Sequence, residues 1–152
     1  MRDILKIFNT EHHTKEQWFE HYTAFRAGTA LEPHDVRLED IDADHIELRM
    51  TIGDHARQPY GLLHGGMSLM LAESAASIHA CWDVDLSRRV PVGIEINGSH
   101  LRSATDGEVR MIARVIRRSR TLIHHRFELI HTDTGKLLCT GRVTNMYRRV
   151  EK

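Results

Sequence analysis

Proline and cysteine are scarce in this chain: Pro33, Pro59 and Pro91, with Cys81 and Cys139, are all that 152 residues contain. Two thiols cannot make a disulfide framework, which points to a reducing compartment. The prolines are too few for a linker, and each falls where an element should begin or end. Excess charge is missing too, since 21 Lys and Arg stand against 21 Asp and Glu. Proteins that bind duplexes carry a basic surplus, so nucleic acid is excluded as a main partner. No uncharged apolar run approaches the roughly 20 residues that span a bilayer. The first ten residues are broken by Asp3 and Lys6 and hold no apolar core of signal-peptide length. The expectation is a soluble cytoplasmic protein with no membrane partner.

Cofactor and metal signatures are also absent. There is no P-loop, no G-x-G-x-x-G, no H-E-x-x-H and no C-x-x-C. Twelve histidines are present, but the adjacent pairs His12-His13 and His124-His125 diverge on a strand or a helix and make poor chelates. Neither a metal nor a cofactor is expected, and the two cysteines read as small core residues.

What remains is an ordinary globular balance, 41% hydrophobic and 28% charged, in a length that suits one core without staples. Residues 14–28 predict a helix, with a Thr14/Gln17 capping box, Trp18, Tyr22 and Phe25 on one face, and Gly28 as the stop. Residues 34–52 alternate as two strands about a turn at Asp40 to Asp44, and residues 31–54 carry eight acids against two bases. Residues 61–82 are apolar or small all round, with Glu73 the one reliably charged group, and predict a helix buried on most sides. Beyond residue 89 the period is two, through Val90 to Ile96, Val109 to Val115, Ile123 to Leu129 and residues 136–148. Long hairpin-linked strands make an antiparallel sheet, so the class is α+β with the apolar helix against one sheet face.

The chemistry concentrates in one segment, Gln58-Pro-Tyr-Gly-Leu-Leu-His64-Gly65-Gly66, followed by Leu71-Ala-Glu73 and Ser77. His64-Gly65-Gly66 opens the buried helix, where backbone N–H groups lack internal partners and the dipole is positive. Glycine lets a ligand approach that backbone, so an oxyanion could be held there. Glu73 in an apolar helix is expected to be buried and to need a partner or a task. Ser77, one turn on, could bond Glu73 or a ligand. His64 and Glu73 are nine residues apart, roughly 13 Å along a helix. One carbonyl cannot touch both ends, so a shared site requires two antiparallel copies of the helix about a two-fold axis.

Q-P-x-G-x-x-H-G-G followed by L-A-E-x-x-x-S resembles the hotdog-fold acyl-CoA thioesterases. The nearest branch by resemblance holds the phenylacetate-pathway, enterobactin-proofreading, dihydroxynaphthoyl-CoA and Arthrobacter-type 4-hydroxybenzoyl-CoA enzymes. The likeness in element order runs over residues 30–148. It implies an antiparallel sheet wrapped on one long central helix, with residues 1–29 an extra N-terminal helical extension and 30–152 the thioesterase domain. It implies hydrolysis of an acyl-CoA, aryl and hydroxyaryl esters included, with coenzyme A entering as part of the substrate. By resemblance Glu73 is the catalytic carboxylate, as nucleophile or general base. The Gly65 amide polarises the carbonyl, His64 supports it, Gln58 orients water or thioester, and Ser77 assists Glu73. Ile78, His100, Met70 and Trp82 are the implied acyl-pocket residues. The implied assembly is a homodimer with shared sites, paired into a homotetramer. Six arginines fall within residues 101–120, and Arg102 and Arg118 are the candidates for the CoA phosphates. A non-catalytic acyl-CoA-binding module and a carrier-protein thioesterase are the alternatives.

Overall fold

The computed structural model describes residues 8–10 and 12–150; Asp3 and Lys6, on which the leader reading rests, lie outside them. Helix α1 spans Lys15–Arg26 and starts on the predicted capping box. The Gln17 amide donates to Thr14 Oγ1 at 3.3 Å, and the Thr14 amide donates to Gln17 Oε1 at 2.9 Å. Trp18 and Tyr22 are buried, while Phe19 stays 41% exposed. Phe8 stacks on Trp18 with ring centroids 4.3 Å apart, and both belong to the same buried cluster as the sheet residues.

Strands β1 (Arg37–Ile41) and β2 (His45–Thr51) form the expected acidic hairpin. The turn is tighter than predicted, because Asp42 Oδ1 accepts from the amides of Asp44 and His45 and closes it over residues 42–44. The helix predicted over 61–82 is shorter: α2 spans Gly65–Ala80. Before it, the chain is held in a loop by Leu63 N–H donating to Ala104 O and His64 N–H donating to Ala56 O, both at 2.8 Å. Strands β3 (Arg89–His100), β4 (Glu108–Arg118), β5 (Leu122–His131) and β6 (Leu137–Arg149) complete one antiparallel sheet.

The sheet order is β1-β2-β4-β5-β6-β3. Helix α2 packs on one face of it and touches β2 through β6, as expected for a sheet wrapped on a central helix. Leu71, Ala72, Ala75 and Ala76 of α2 are fully buried against it. Strand β3 is an edge, which accommodates Pro91 and its missing N–H. Among the described residues no helix is long and apolar enough to cross a membrane.

Candidate active site

The sequence-predicted site residues fall into two groups, one at the start of α2 and one at its middle. The loop before α2 is pinned by an Arg57–Leu63 bridge and by Gln58 N–H donating to Leu62 O at 2.8 Å. Arg57 braces it further, donating from Nε to Thr105 O at 2.9 Å. Gln58 is thereby held at the base of the helix. His64 is the N-cap: its Nδ1 accepts from Gly66 N–H at 2.8 Å, and its carbonyl accepts from Met67 N–H at 2.9 Å and Ser68 N–H at 3.4 Å. A neutral His64 therefore carries its proton on Nε2.

Those bonds account for the first turn except for one group. The Gly65 N–H has no hydrogen-bond partner among the described residues. It faces a cleft of about 390 Å³ lined by Gln58, Leu63, Gly65, His100 and Arg102 among others. Position 65 must be small, because a Cβ there would stand 2.8 Å from His100 Nε2. The structure thus assembles Gln58, His64, Gly65, His100 and Arg102 at one end of the helix. Arg102 is exposed at the rim, donating to Leu137 O at 3.0 Å.

Glu73 lies two turns further along. It is exposed in the single chain, against the expectation of a buried acid. The cause is the stripe it occupies: residues 71, 72, 75 and 76 take the sheet face, and position 73 turns away from it. No hydrogen bond or ion pair among the described residues reaches its carboxylate. It lies against Gly93 of β3, where a Cβ would stand 2.7 Å from Glu73 Oε1. Ser77 does not bond Glu73; its Oγ accepts from Asn145 Nδ2 at 2.9 Å. Ile78 and Ser77 line a second, largely apolar cleft of about 450 Å³. The structure thus groups Glu73, Ser77 and Ile78 beside β3, apart from Gly65.

An unpartnered amide, a free carboxylate and a flanking hydroxyl suit addition to a carbonyl and its collapse. The thioesterase superfamily profile matches residues 60–139. The chain belongs to the thioesterase superfamily. Thioester hydrolysis is the chemistry of this thioesterase, and its sheet and central helix are the hotdog fold. It is 37% identical over 111 residues to the 1,4-dihydroxy-2-naphthoyl-CoA hydrolase of Escherichia coli, covering 72% of this chain and 79% of that one. It is 31% identical over 133 residues to a proofreading thioesterase of Cronobacter turicensis, covering 84% of this chain and 95% of that one. A mutant thioesterase from Pseudomonas aeruginosa superposes with a TM-score of 0.82 at 32% identity, over 87% of this chain and 94% of that one.

Three expected site residues of the thioesterase lie elsewhere. Arg118 does not present a free cation for CoA. Its guanidinium donates to Trp82 O at 2.7 Å, to His79 O at 3.4 Å and to Tyr147 Oη at 3.3 Å. The last carbonyls of a helix lack internal partners and carry the negative end of the dipole, so a cation settles there. Trp82 walls a separate cleft beside Arg118 and Tyr147 rather than the one holding Ile78. Met70 packs on the core and lines neither of the two site clefts.

Two features escaped the sequence reading. Asn145 on β6 is fully buried, holds Ser77, and has an unpartnered Oδ1. Its signal was a polar residue in the inward series Cys139, Gly141, Val143, Asn145. The other is a buried histidine pair behind α2. His79 Nδ1 lies 2.8 Å from His125 Nε2, and His79 Nε2 lies 2.8 Å from Asp42 O. A carbonyl only accepts, so His79 carries its proton on Nε2 and His125 donates from Nε2. Burial pushes both rings below the ordinary histidine range, and the nearby Arg118 guanidinium acts in the same sense. Neighbouring His124 faces the other way and bonds Thr144 Oγ1, so the adjacent pair does diverge.

Proposed function

We propose that the protein hydrolyses acyl-CoA thioesters at sites shared between two chains. The observation that carries this is one helix with two unsatisfied reagents, the Gly65 amide and the Glu73 carboxylate. They stand roughly 12 Å apart along the axis, too far for one carbonyl to meet both. A second copy with its α2 antiparallel brings the amide of one chain beside the carboxylate of the other, twice over. The free edge of β3 supports that arrangement. It runs twelve residues, leaves Ile94 52% exposed, and carries Gly93 against Glu73. An open edge of that length is a template for another strand. The homodimer is the functional unit, and pairing of dimers into a tetramer belongs to the same proposal.

In this arrangement the thioester oxygen accepts the Gly65 N–H, and the helix dipole favours the charge that develops there. Glu73 either removes a proton from water as the water oxygen bonds the carbonyl carbon, or adds itself to give an anhydride that water then opens. Collapse breaks the C–S bond, and the departing thiolate takes up the proton. Free acid and CoA result. In this reading Gln58, which lines the cleft with Gly65, and the neighbouring His64 orient water or thioester, and Ser77, bonded by Asn145 and one turn from Glu73, assists it. Arg102 at the rim suits the CoA phosphates. That a relative is named a hydrolase of an aryl-CoA supports both the CoA ester and an aromatic acyl group.

Thiol release from a panel of acyl-CoAs tests the reading directly. Glu73→Ala is expected to lower turnover by at least about 10²-fold, the scale of losing one oxyanion donor, while sedimentation still shows the dimer. Near-normal hydrolysis by that variant would remove the assignment. A wild-type protein that binds acyl-CoA and releases no thiol would instead be a binding module.

A further inference from the structure

Asn145 is a polar side chain that the fold itself does not need. It is fully buried on β6, in an inward series whose other members, Cys139, Gly141 and Val143, are small or apolar. Its Oδ1 has no hydrogen-bond partner among the described residues. A buried acceptor left unpaired is destabilising, and an apolar side chain of similar size would avoid that. Stability therefore does not explain the amide. The bond it does make leads to the candidate site, because Nδ2 donates to Ser77 Oγ at 2.9 Å.

We propose that Asn145 is a positioning residue of the thioesterase. It fixes the direction of the Ser77 hydroxyl, so that Ser77 gives its hydrogen to the reacting oxygen at Glu73, whether of the activated water or of the carboxylate. The inference rests on the thioesterase reading above and deepens it. Three observations carry it. The first is the polarity of the bond. A serine hydroxyl has one hydrogen to give and lone pairs to receive. Inside a helix it can give that hydrogen to the carbonyl one turn back. Ser77 makes no such bond, and no acceptor among the described residues takes its hydrogen; its oxygen receives from Asn145 instead. The hydrogen is therefore turned away from Asn145, and Ser77 lines the cleft. Ser74 lines the same cleft, but its hydroxyl is already spent on Met70 Sδ at 3.6 Å. The second observation is the helical spacing, which sets Ser77 one turn from Glu73 on the same stripe. The third is Gly93, the register partner of Asn145 across β3 and β6. A Cβ on Gly93 would stand 2.7 Å from Glu73 Oε1 and 3.8 Å from Asn145 Nδ2, so carboxylate and amide border the same space that glycine leaves open.

The test is a double-mutant cycle on thiol release, run with the acyl-CoA that the wild type cleaves fastest. Asn145→Leu removes the donor at nearly constant size. Its kcat should fall about tenfold, the scale of one hydrogen bond, with KM held within about twofold. Its urea midpoint should equal or exceed that of the wild type, since the unpaired Oδ1 goes too. Ser77→Ala should lose a similar factor in kcat. The double variant should be no slower than the slower single one, because both changes break one bond. Asn145→Val, which repeats the residue at 143, replaces Asn145→Leu in the cycle if leucine prevents folding. Undiminished kcat in the Asn145 variant, a loss confined to KM, an unaffected Ser77→Ala, or losses that multiply in the double variant would each overturn the assignment. Glu73→Ala is run alongside. If the wild type releases no thiol, or Glu73→Ala releases it as fast, the thioesterase reading fails and this assignment falls with it. A disabled Glu73→Ala beside a fully active Asn145→Leu overturns the assignment alone.

Discussion

The two ends of α2 face the same problem and solve it in opposite ways. At the amino end, every free N–H in the first turn is capped except that of Gly65, which opens onto a cleft. At the carboxyl end, the terminal carbonyls are closed off. Arg118 bonds His79 O and Trp82 O, and Tyr147 Oη donates to Ala80 O at 3.1 Å. Behind that end sits the sealed His79–His125 pair. A helix terminus is a reservoir of unsatisfied backbone polarity. Left open, it is a reagent; covered, it is an anchor. In this chain one end serves chemistry and the other serves stability.

The largest effect should come from breaking the open end. Gly65→Pro removes the N–H, and His64 at φ −67, ψ 129 already has the backbone a following proline requires. Gly65→Ala adds the same Cβ toward His100 but keeps the N–H. The difference in kcat between the two variants should be about 10²–10³-fold, the size of one oxyanion donor. Equal turnover would mean the amide is not used. The closed end should answer in stability instead. Arg118→Met leaves buried carbonyls without a charged donor and should cost about 2 kcal/mol by urea denaturation, with KM for the CoA ester little changed. A large rise in KM would restore Arg118 to the substrate site.

The smallest and most gradual effect concerns pH. Both rings of the buried pair have folded pKa values below the unfolded histidine value, so the unfolded chain binds more protons below about pH 6.5. Above that pH the pair carries no penalty. As pH falls from about 6.5 toward 4, stability should decline, by up to about 1.4 kcal/mol per pH unit for each proton taken up. Replacing both rings, as in His79→Leu with His125→Phe, should flatten that slope in denaturation curves recorded across the range. An unchanged slope would place the acid sensitivity elsewhere.

Much of this contrast was legible from sequence at the open end and little at the closed one. His64-Gly65-Gly66 marks the helix start because capping and close approach are local properties of those residues. The capping box of α1 and the period-two strands were legible for the same reason. The exposure of Glu73 was not, because an apolar helix does not say which stripe the sheet will take. Arg118 was harder still. Strict alternation along β4 from Val109 and Met111 points odd-numbered residues inward, but a bulge between Val115 and Arg117 reverses the parity. That reversal turns Arg118, rather than Arg117, toward the end of α2. Arg110, from the same arginine-rich stretch, is tied across the sheet to Glu47 at 3.4 Å. Asn145 could be suspected from its place in an inward series, but its bond to Ser77 joins positions 68 residues apart.

The place kept clear beside His100 has a further consequence. A main-chain N–H is supplied by every residue except proline, whatever its side chain. What inheritance must preserve at position 65 is therefore a hole rather than a functional group. Mutations there harm by occupying space, and the tolerance of the site is set by how far the neighbouring imidazole can swing aside.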